Sequence, residues 1–139
     1  ALLAAGWGAA TRVYDLRQRK MLRQYTDAHT EDVTQARFHP SLPAVLVTGS
    51  VDGLVCVLDN DNPSVDDALV SVLSAEVSVA RIGFSGAGAT QVFVQTHVEG
   101  IQVWDFGGEA RLVRIDDLRP SLAAACPSLE VDYLVDCMY

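Results

Sequence analysis

Histidine and cysteine are the residues of this chain best suited to hold a metal ion or to act as nucleophiles. The sequence contains three of each, namely His29, His39, His97, Cys56, Cys126 and Cys137. A protein metal site needs three or four ligands at close spacing, whereas these histidines lie far apart and no Cys-x-x-Cys pair is present. We therefore predict no metal site. His29 is expected to be a structural hydrogen-bonding residue, His39 a half-exposed residue at a strand end, and His97 a turn residue.

Other patterns resemble ligand or catalytic sites but lack an essential part. Asp59-Asn60-Asp61-Asn62 begins like a calcium loop, yet Ser64 stands where the loop needs glycine and Val70 where it needs glutamate. The glycines of Gly6-Trp7-Gly8 and Gly86-Ala87-Gly88 lie between predicted strands, not before a helix that could hold phosphate. No Gly-x-Ser-x-Gly elbow and no cysteine beside an activating histidine occur. The sequence thus predicts no enzyme, no cofactor and no small-molecule substrate.

Composition narrows the classes of partner. The chain has 139 residues, of which 50% are hydrophobic and 20% charged, as in a globular protein. Ten basic residues face eighteen acidic ones, for a net charge of −8, which argues against direct nucleic-acid binding because phosphate backbones are bound by clustered Lys and Arg. No apolar run is long enough to span a membrane. An odd number of cysteines within apolar runs predicts reduced, buried thiols and an intracellular, nuclear or cytoplasmic protein.

A repeat of 46 residues organises the sequence. The stretch from Asp32 to Asp59 reads as three short strands, and moving it forward by 46 places aligns five of its residues with similar ones: Val33 with Val79, Ala36 with Ile82, Phe38 with Phe84, Val57 with Val103, and Asp59 with Asp105. The apolar run from Ala44 to Val47 does not alternate, which predicts a strand buried on both faces. Asp52-Gly53 predicts a hairpin turn. Such a repeat of strands and turns favours a propeller or array, in an all-β fold.

The remaining elements follow from the same frame. Residues 1–27 are predicted to hold the end of one unit, 32–74 and 78–115 two complete units, and 121–139 the start of another, so that the segment covers about three blades. Residues 68–73 are predicted as an outer strand, with a short helix as the alternative because Ser64 and Asp67 resemble a capping box. Strands are also predicted over 122–126 and 133–138, with a helical turn at 116–120 and at 123–125 as the alternative. Because the chain begins with Ala and ends in an apolar run, we expect a segment of a longer protein.

The motifs resemble those of the WD-repeat propellers. Ala28-His29 with Leu58-Asp59 is similar to the Gly-His and Trp-Asp frame of that family, Trp104-Asp105 keeps its second element, and Tyr14-Asp15 is a variant of it. More narrowly, the run from Asp32 to Asp59 resembles the group of WD repeat-containing protein 89. The resemblance implies seven or eight blades in the complete protein. It also implies a structural network of His29, Asp52 and either Thr48 or Ser50, with Leu58 in place of the tryptophan. The second repeat lacks the histidine, so we expect no such network there.

A scaffold for protein interaction is the function that this resemblance implies. The loops before the first strand and at the second hairpin of each repeat should share one face, so the candidate contact residues are Asp27, Glu31, Asp32, Val51, His97 and Glu99. Their carboxylates predict a basic partner segment bound with salt-sensitive affinity. Association with the family suggests ribosome assembly or another nuclear assembly.

The alternative function is a substrate receptor of a cullin-type ubiquitin ligase. Tyr14-Asp15-Leu16-Arg17 resembles the Trp/Tyr-Asp-x-Arg element of such receptors, and Arg17 would then project toward an adaptor protein. The competing interpretation is an ordinary strand end in which Arg17 is paired with a nearby carboxylate.

Overall fold

The computed structural model describes residues 1–107 and 110–128, and this part of the chain is built from short antiparallel strands. Eleven strands occur there: β1 Leu2–Trp7, β2 Ala10–Asp15, β3 Lys20–Tyr25, β4 Val33–Phe38, β5 Val45–Ser50, β6 Leu54–Asp59, β7 Leu69–Ser74, β8 Val79–Ser85, β9 Gln91–Thr96, β10 Ile101–Asp105 and β11 Arg111–Ile115. A 3₁₀ turn at Ala87–Ala89 and one helix, α1 Arg119–Ala125, complete the described elements.

The strands form three sheets in which chain order equals spatial order. Strands β1 to β3 make a three-stranded sheet, and β4 to β7 and β8 to β11 make two four-stranded sheets. Gly53 allows the chain to reverse after β5, because its φ of 81° is one that residues with a Cβ rarely adopt. An added Cβ would also lie 3.3 Å from the backbone nitrogen of Val77. The prediction of an all-β fold built from four-stranded repeats is confirmed.

The sheets stack face to face, with the sheet of β4 to β7 in the middle. Neighbouring residues of β5 point to opposite sides: Leu46 packs with Val13 and Tyr25 of the first sheet, whereas Val47 packs with Val79 and other residues of the third. Leu46 and Val47 are both 0% exposed. The predicted burial of this strand on both faces is confirmed, and it gives the stack two apolar cores instead of one.

Polar side chains on the inner strands fasten the second sheet to the third. The Thr34 hydroxyl lies within hydrogen-bond distance of two carbonyl oxygens, that of Gly49 in its own sheet at 3.1 Å and that of Val79 in the next at 2.9 Å. The side-chain oxygen of Gln35 accepts the backbone N–H of Ile82 at 2.7 Å. These bonds are directional, so they fix the alignment of two sheets that apolar contact alone would leave free to slide.

His39 makes a third connection, and the prediction that it would be half exposed is wrong. Its side chain is buried between the second and third sheets. Nε2 donates to the Ala89 carbonyl oxygen of the third sheet at 3.0 Å. Nδ1 accepts the backbone N–H groups of Ser41 and Leu42 at 3.1 and 3.0 Å. The ring also packs against Phe84 and Phe106, with centroids 4.8 and 5.0 Å away. Strand position gave no sign of this contact, because its partners are distant in sequence.

Each outermost strand carries a β-bulge at the same place. The register shifts by one residue opposite Val13/Tyr14, Val57/Leu58 and Val103/Trp104, which leaves Leu22 of β3, Val70 of β7 and Leu112 of β11 without a direct cross-strand partner. All three side chains are exposed. A recurring bulge of this kind increases the local twist of an edge strand.

Two further predictions concern segments for which a strand is predicted and a helix is the alternative. Residues 69–74 form strand β7, so the outer-strand prediction is confirmed; the Ser64 hydroxyl does accept the N–H of Asp67, but no helix follows. The strand predicted over 122–126 is wrong, because α1 occupies Arg119–Ala125. Pro120 suits a first helical turn, alanine is the best helix former, and the Asp117 carboxylate accepts the N–H of Arg119 at 3.0 Å. The strand predicted over 133–138 lies outside the described residues.

Candidate protein-interaction face

The loops at one edge of the stack form a connected surface, which we call the turn face. It consists of residues 8–9, 26–32, 51–53, 75–78, 97–100 and 116–118. Backbone hydrogen bonds join successive loops: Val33 N–H to Gly8 O, Val51 N–H to Asp32 O, Ala75 N–H to Gly53 O, His97 N–H to Ser78 O, and Leu118 N–H to Glu99 O, all between 2.9 and 3.0 Å. The loops therefore have fixed positions relative to one another.

The turn face is acidic. Its loops contain eight carboxylates and no Lys or Arg, the carboxylates being Asp27, Glu31, Asp32, Asp52, Glu76, Glu99, Asp116 and Asp117. The chain as a whole has ten basic residues and eighteen acidic ones. The density of negative charge on the turn face is therefore higher than the average of the sequence.

Residues from adjacent elements neutralise part of this charge. Glu76 is bound by Arg111 at 3.1 Å and by Arg114 at 2.6 Å, and these two hydrogen-bonded arginines lower the pKa of its carboxyl. Asp116 and Asp117 each bind an arginine as well, Arg114 and Arg119 respectively. Asp27, Glu31 and Asp32 are exposed and have no ion pair within residues 1–107 and 110–128. The uncompensated charge thus lies on the loop between β3 and β4.

Beneath that loop, His29, Thr48 and Asp52 are brought together as the motif implied. His29 Nδ1 lies 3.2 Å from an Asp52 carboxylate oxygen, and its Nε2 lies 2.8 Å from the Thr48 hydroxyl. Since a carboxylate only accepts, Nδ1 carries the proton and Nε2 accepts from Thr48. Burial lowers the pKa of His29, and the nearby Asp52 offsets only part of that effect. The ring is therefore neutral at neutral pH.

Asp52 is also held by the backbone of both adjoining loops. It accepts the N–H groups of Thr30 at 3.0 Å and Leu54 at 2.9 Å. Burial alone would raise the pKa of this carboxyl, but these two bonds and the neighbouring His29 together lower it. Ser50, the alternative to Thr48 in the implied network, does not contact the histidine; its hydroxyl instead donates to the Glu31 carbonyl oxygen at 3.0 Å. The network consequently joins the acidic loop to the hairpin after β5.

In the third sheet a glutamine, not a histidine, joins the strands to the preceding loop, and the sequence analysis did not predict this. Gln102 is buried, donates from Nε2 to the Ala75 carbonyl oxygen at 2.8 Å, and accepts the indole N–H of Trp104 at 3.2 Å. Its position corresponds to Cys56, 46 residues earlier, whose thiol lies 3.1 Å from the Ala28 carbonyl oxygen. The repeat alignment could have signalled this, because a glutamine there stands where the preceding repeat has a buried side chain.

Comparison with known proteins places the chain in a family. No protein-family model matches it. The "WD repeat-containing protein 89 homolog" of Dictyostelium discoideum is 37% identical over 139 residues, covering 99% of this chain and 38% of the relative. The chain belongs to the WD-repeat family. A second WD-repeat relative, "WD repeat-containing protein GTS1" of Arabidopsis thaliana, is 33% identical over 137 residues, covering 98% of this chain and 35% of the relative.

Structural comparison agrees on the fold. A chain in the crystal structure of the mitotic checkpoint complex is 18% identical and matches with a TM-score of 0.72, over 83% of this WD-repeat chain and 34% of that chain. The present segment therefore spans little more than a third of its relatives' length. Propellers of this family generally serve as scaffolds for protein interaction, and the narrower resemblance to the protein 89 group agrees with the relatives found.

The other contact residues predicted for the WD-repeat chain lie on the turn face. Val51 is 37% exposed beside Asp32, and His97 is exposed with its Nδ1 2.7 Å from the Ser78 hydroxyl. Glu99 is half-buried and has a φ of 62°, at the turn position where the middle sheet has Gly53. A non-glycine residue in this left-handed region is uncommon and marks a position that tolerates some backbone strain.

Arg17 lies away from the turn face of the WD-repeat chain, in the turn between β2 and β3. The Asp15 carboxylate accepts the N–H groups of Arg17 at 2.7 Å and Gln18 at 3.2 Å, and these bonds lower its pKa. The Arg17 side chain is exposed and forms no ion pair with any described carboxylate, so the paired arrangement considered for it is not seen.

Within the described ranges, no group of three or more His, Cys, Asp or Glu residues is arranged to hold a metal ion. None of the helices there has the length and apolar character needed to cross a bilayer.

Proposed function

We propose that this chain is part of a non-enzymatic scaffold whose turn face binds a basic segment of another protein. The observation that carries the proposal is the acidic character of that face, whose loops contain eight carboxylates and no Lys or Arg. Arginines of adjacent elements bind three of these carboxylates, namely Glu76, Asp116 and Asp117. Asp27, Glu31 and Asp32 are the residues of the face best placed to receive cations, because they are exposed and without an ion pair among the described residues.

The fixed spacing of the loops supports the same assignment. Loops that are already fixed lose little backbone conformational entropy when a partner binds, and clustered charge of one sign accelerates encounter with the opposite sign. Because the contacts would be solvent-exposed, their attraction is screened by salt over roughly 8 Å at physiological ionic strength. Binding that weakens steeply with added salt is the expected signature.

Charge reversal in the full-length protein tests the proposal. Replacing Asp27, Glu31 and Asp32 with lysine should abolish co-purification of the partner. The variant that also carries Glu99→Lys should likewise fail to co-purify with it. Reversal of Asp61, Asp66 and Asp67 provides a matched control, since these three exposed carboxylates belong to the loop between β6 and β7 and not to the turn face. Equal recovery of the partner by wild type and by the turn-face variant would exclude an acidic binding face.

For the cellular setting, the family resemblance supports a nuclear or cytoplasmic scaffold and, more narrowly, one acting in ribosome or other nuclear assembly. Sedimentation of the tagged full-length protein with pre-ribosomal particles tests this part separately. Sedimentation only in the light fractions, with partner binding intact, would reject the ribosomal setting and leave the acidic face standing.

A second candidate is a substrate receptor of a cullin-type ubiquitin ligase, acting through Tyr14-Asp15-Leu16-Arg17. The turn that Asp15 organises leaves the Arg17 side chain exposed and unpaired among the described residues. Arg17→Ala should then abolish adaptor binding, while Arg19→Ala, an exposed arginine of the same turn, should leave it intact. Adaptor binding that survives Arg17→Ala would dispose of this candidate.

A further inference from the structure

A small pocket lies between the first and second sheets, beside the turn face. Residues 25–28, at the end of β3 and in the loop that follows, form one wall, and Leu58, Val65, Asp66 and Leu69 form the other. Because residues 26–28 also belong to the turn face, the pocket and that face make one continuous surface. A segment bound across the acidic loop between β3 and β4 could therefore reach the pocket without leaving the protein.

The interior of this pocket is mainly apolar. Leu58 and Tyr25 are each 1% exposed and form its floor, whereas Val65 and Leu69 stand at its rim with 37% and 42% exposure. The Tyr25 hydroxyl donates its proton to the side-chain oxygen of the buried Asn60 at 3.1 Å, so that proton is already in use. Aliphatic side chains around a concave site favour an apolar occupant.

The size of the pocket limits what can enter it. Its cavity measures about 60 Å³, whereas a protein cavity that binds benzene measures about 150 Å³. An aromatic side chain is therefore too large. A single branched aliphatic side chain, such as that of leucine or valine, is the occupant that matches both the size and the apolar walls, and its removal from water favours binding.

Carboxylates at the mouth of the pocket indicate the charge of the residues that flank this side chain. Asp27 stands on the side of the turn face, where the acidic loop between β3 and β4 continues, and Asp66 stands on the opposite side. Arg23 donates to the Asn62 carbonyl oxygen, in the loop that carries Asp66, so a cation already lies next to that loop. A basic segment is therefore attracted most strongly toward Asp27.

We propose that the pocket receives a branched aliphatic side chain of the basic segment that binds the turn face, with the lysines or arginines of that segment on the side of Asp27. The inference rests on the proposed function, because it assigns the apolar part of the same partner. It predicts a recognition motif in which leucine, isoleucine or valine adjoins a basic cluster. Apolar contact then selects among partners that charge alone would treat alike.

Fluorescence polarisation of labelled peptides with the full-length protein tests the proposal. The probes are Lys-Lys-Lys-x-Ser-Ser-Ser and the same peptide in reverse order, with leucine, phenylalanine or serine at x. All probes carry the same side-chain charge, so a difference between them reports the apolar contact alone. In at least one order, the leucine probe should bind about 10-fold more tightly than the serine probe, and more tightly than the phenylalanine probe. This ratio should persist when added salt weakens the binding of all probes.

Substitutions at the rim assign the preference to this pocket. Leu69→Ser should remove the preference for leucine, whereas Val70→Ser should retain it, because Val70 is the next residue of β7 and does not line the pocket. Equal binding of the leucine and serine probes, tightest binding of the phenylalanine probe, or a leucine preference that survives Leu69→Ser would overturn the pocket assignment and leave the acidic face standing. Failure of every probe to bind would reject the acidic face and the pocket together.

Discussion

Replacement of Asp52 by alanine should destabilise the middle sheet by about 3 kcal/mol, as its hydrogen bonds indicate. The carboxylate accepts from His29 Nδ1, Leu54 N–H and Thr30 N–H at 3.2, 2.9 and 3.0 Å. His29 has a side chain with 0% exposure, so its donor would be left without an acceptor in a dry site, at a cost of about 2 kcal/mol. The Leu54 bond contributes about 1 kcal/mol. Thr30 is exposed, so water replaces its lost acceptor.

Urea unfolding of the full-length protein measures the total, and hydrogen exchange of β5 and β6 amides assigns the loss to the middle sheet. Asp15→Ala is the matched control: that carboxylate also accepts two backbone N–H groups, from Arg17 and Gln18, but on the surface. It should cost much less, because water can satisfy the exposed groups.

A double-mutant cycle with His29→Ala separates the pair from its surroundings. The coupling free energy of His29 and Asp52 is expected at about 1 to 2 kcal/mol. If the two losses simply add, or if Asp52→Ala costs no more than Asp15→Ala, the network does not hold the loops as described and the reasoning fails.

Three further predictions follow from other parts of the molecule. Burial lowers the pKa of His29 from 6.5, so the free energy of unfolding should be highest above that pH and should fall as the pH drops below it. His29→Gln should reduce this pH dependence in unfolding measurements. Gly83→Ala would place a Cβ 2.3 Å from the ring of Phe93 and should cost about 1–3 kcal/mol, whereas Gly107→Ala, with open space around it, should be neutral in the same measurements. Burial raises the pKa of the Cys56 thiol to about 12, so it should react with a thiol reagent only on unfolding, while the exposed cysteine after α1 reacts in the native state.

Local patterns predicted most of the strands because their determinants are local. The unbroken apolar run of β5 indicated burial on both faces, and the Asp-Gly pair after it indicated the hairpin. The association of His29 with Asp52 is implied by the resemblance to the WD-repeat propellers. These features depend on residues that are close in sequence or on patterns of the 46-residue repeat.

Contacts between sheets were not predictable in the same way. His39 is predicted to be half exposed because it lies at the end of its strand, but its partner, Ala89, lies 50 residues away. Gln102 belongs to no motif, and a glutamine on a strand more often faces solvent, so the sequence offers only its alignment with the buried Cys56 of the preceding repeat as a sign. Residues 122–126 are predicted as a strand, with a helical turn as the alternative, because their alanines fit either pattern. The bond from Arg119 N–H to Asp117, which favours the start of α1, is visible only in three dimensions.

The bonds that join neighbouring loops of the turn face have a consequence for how this surface can change. They run between main-chain atoms, so, apart from the buried pair His29 and Asp52, the geometry of the face depends little on which side chains it displays. Duplicated copies of such a protein could acquire new specificities by replacing loop residues, with the architecture beneath preserved. For the same reason, randomised loop libraries on this framework should retain folded members at high frequency.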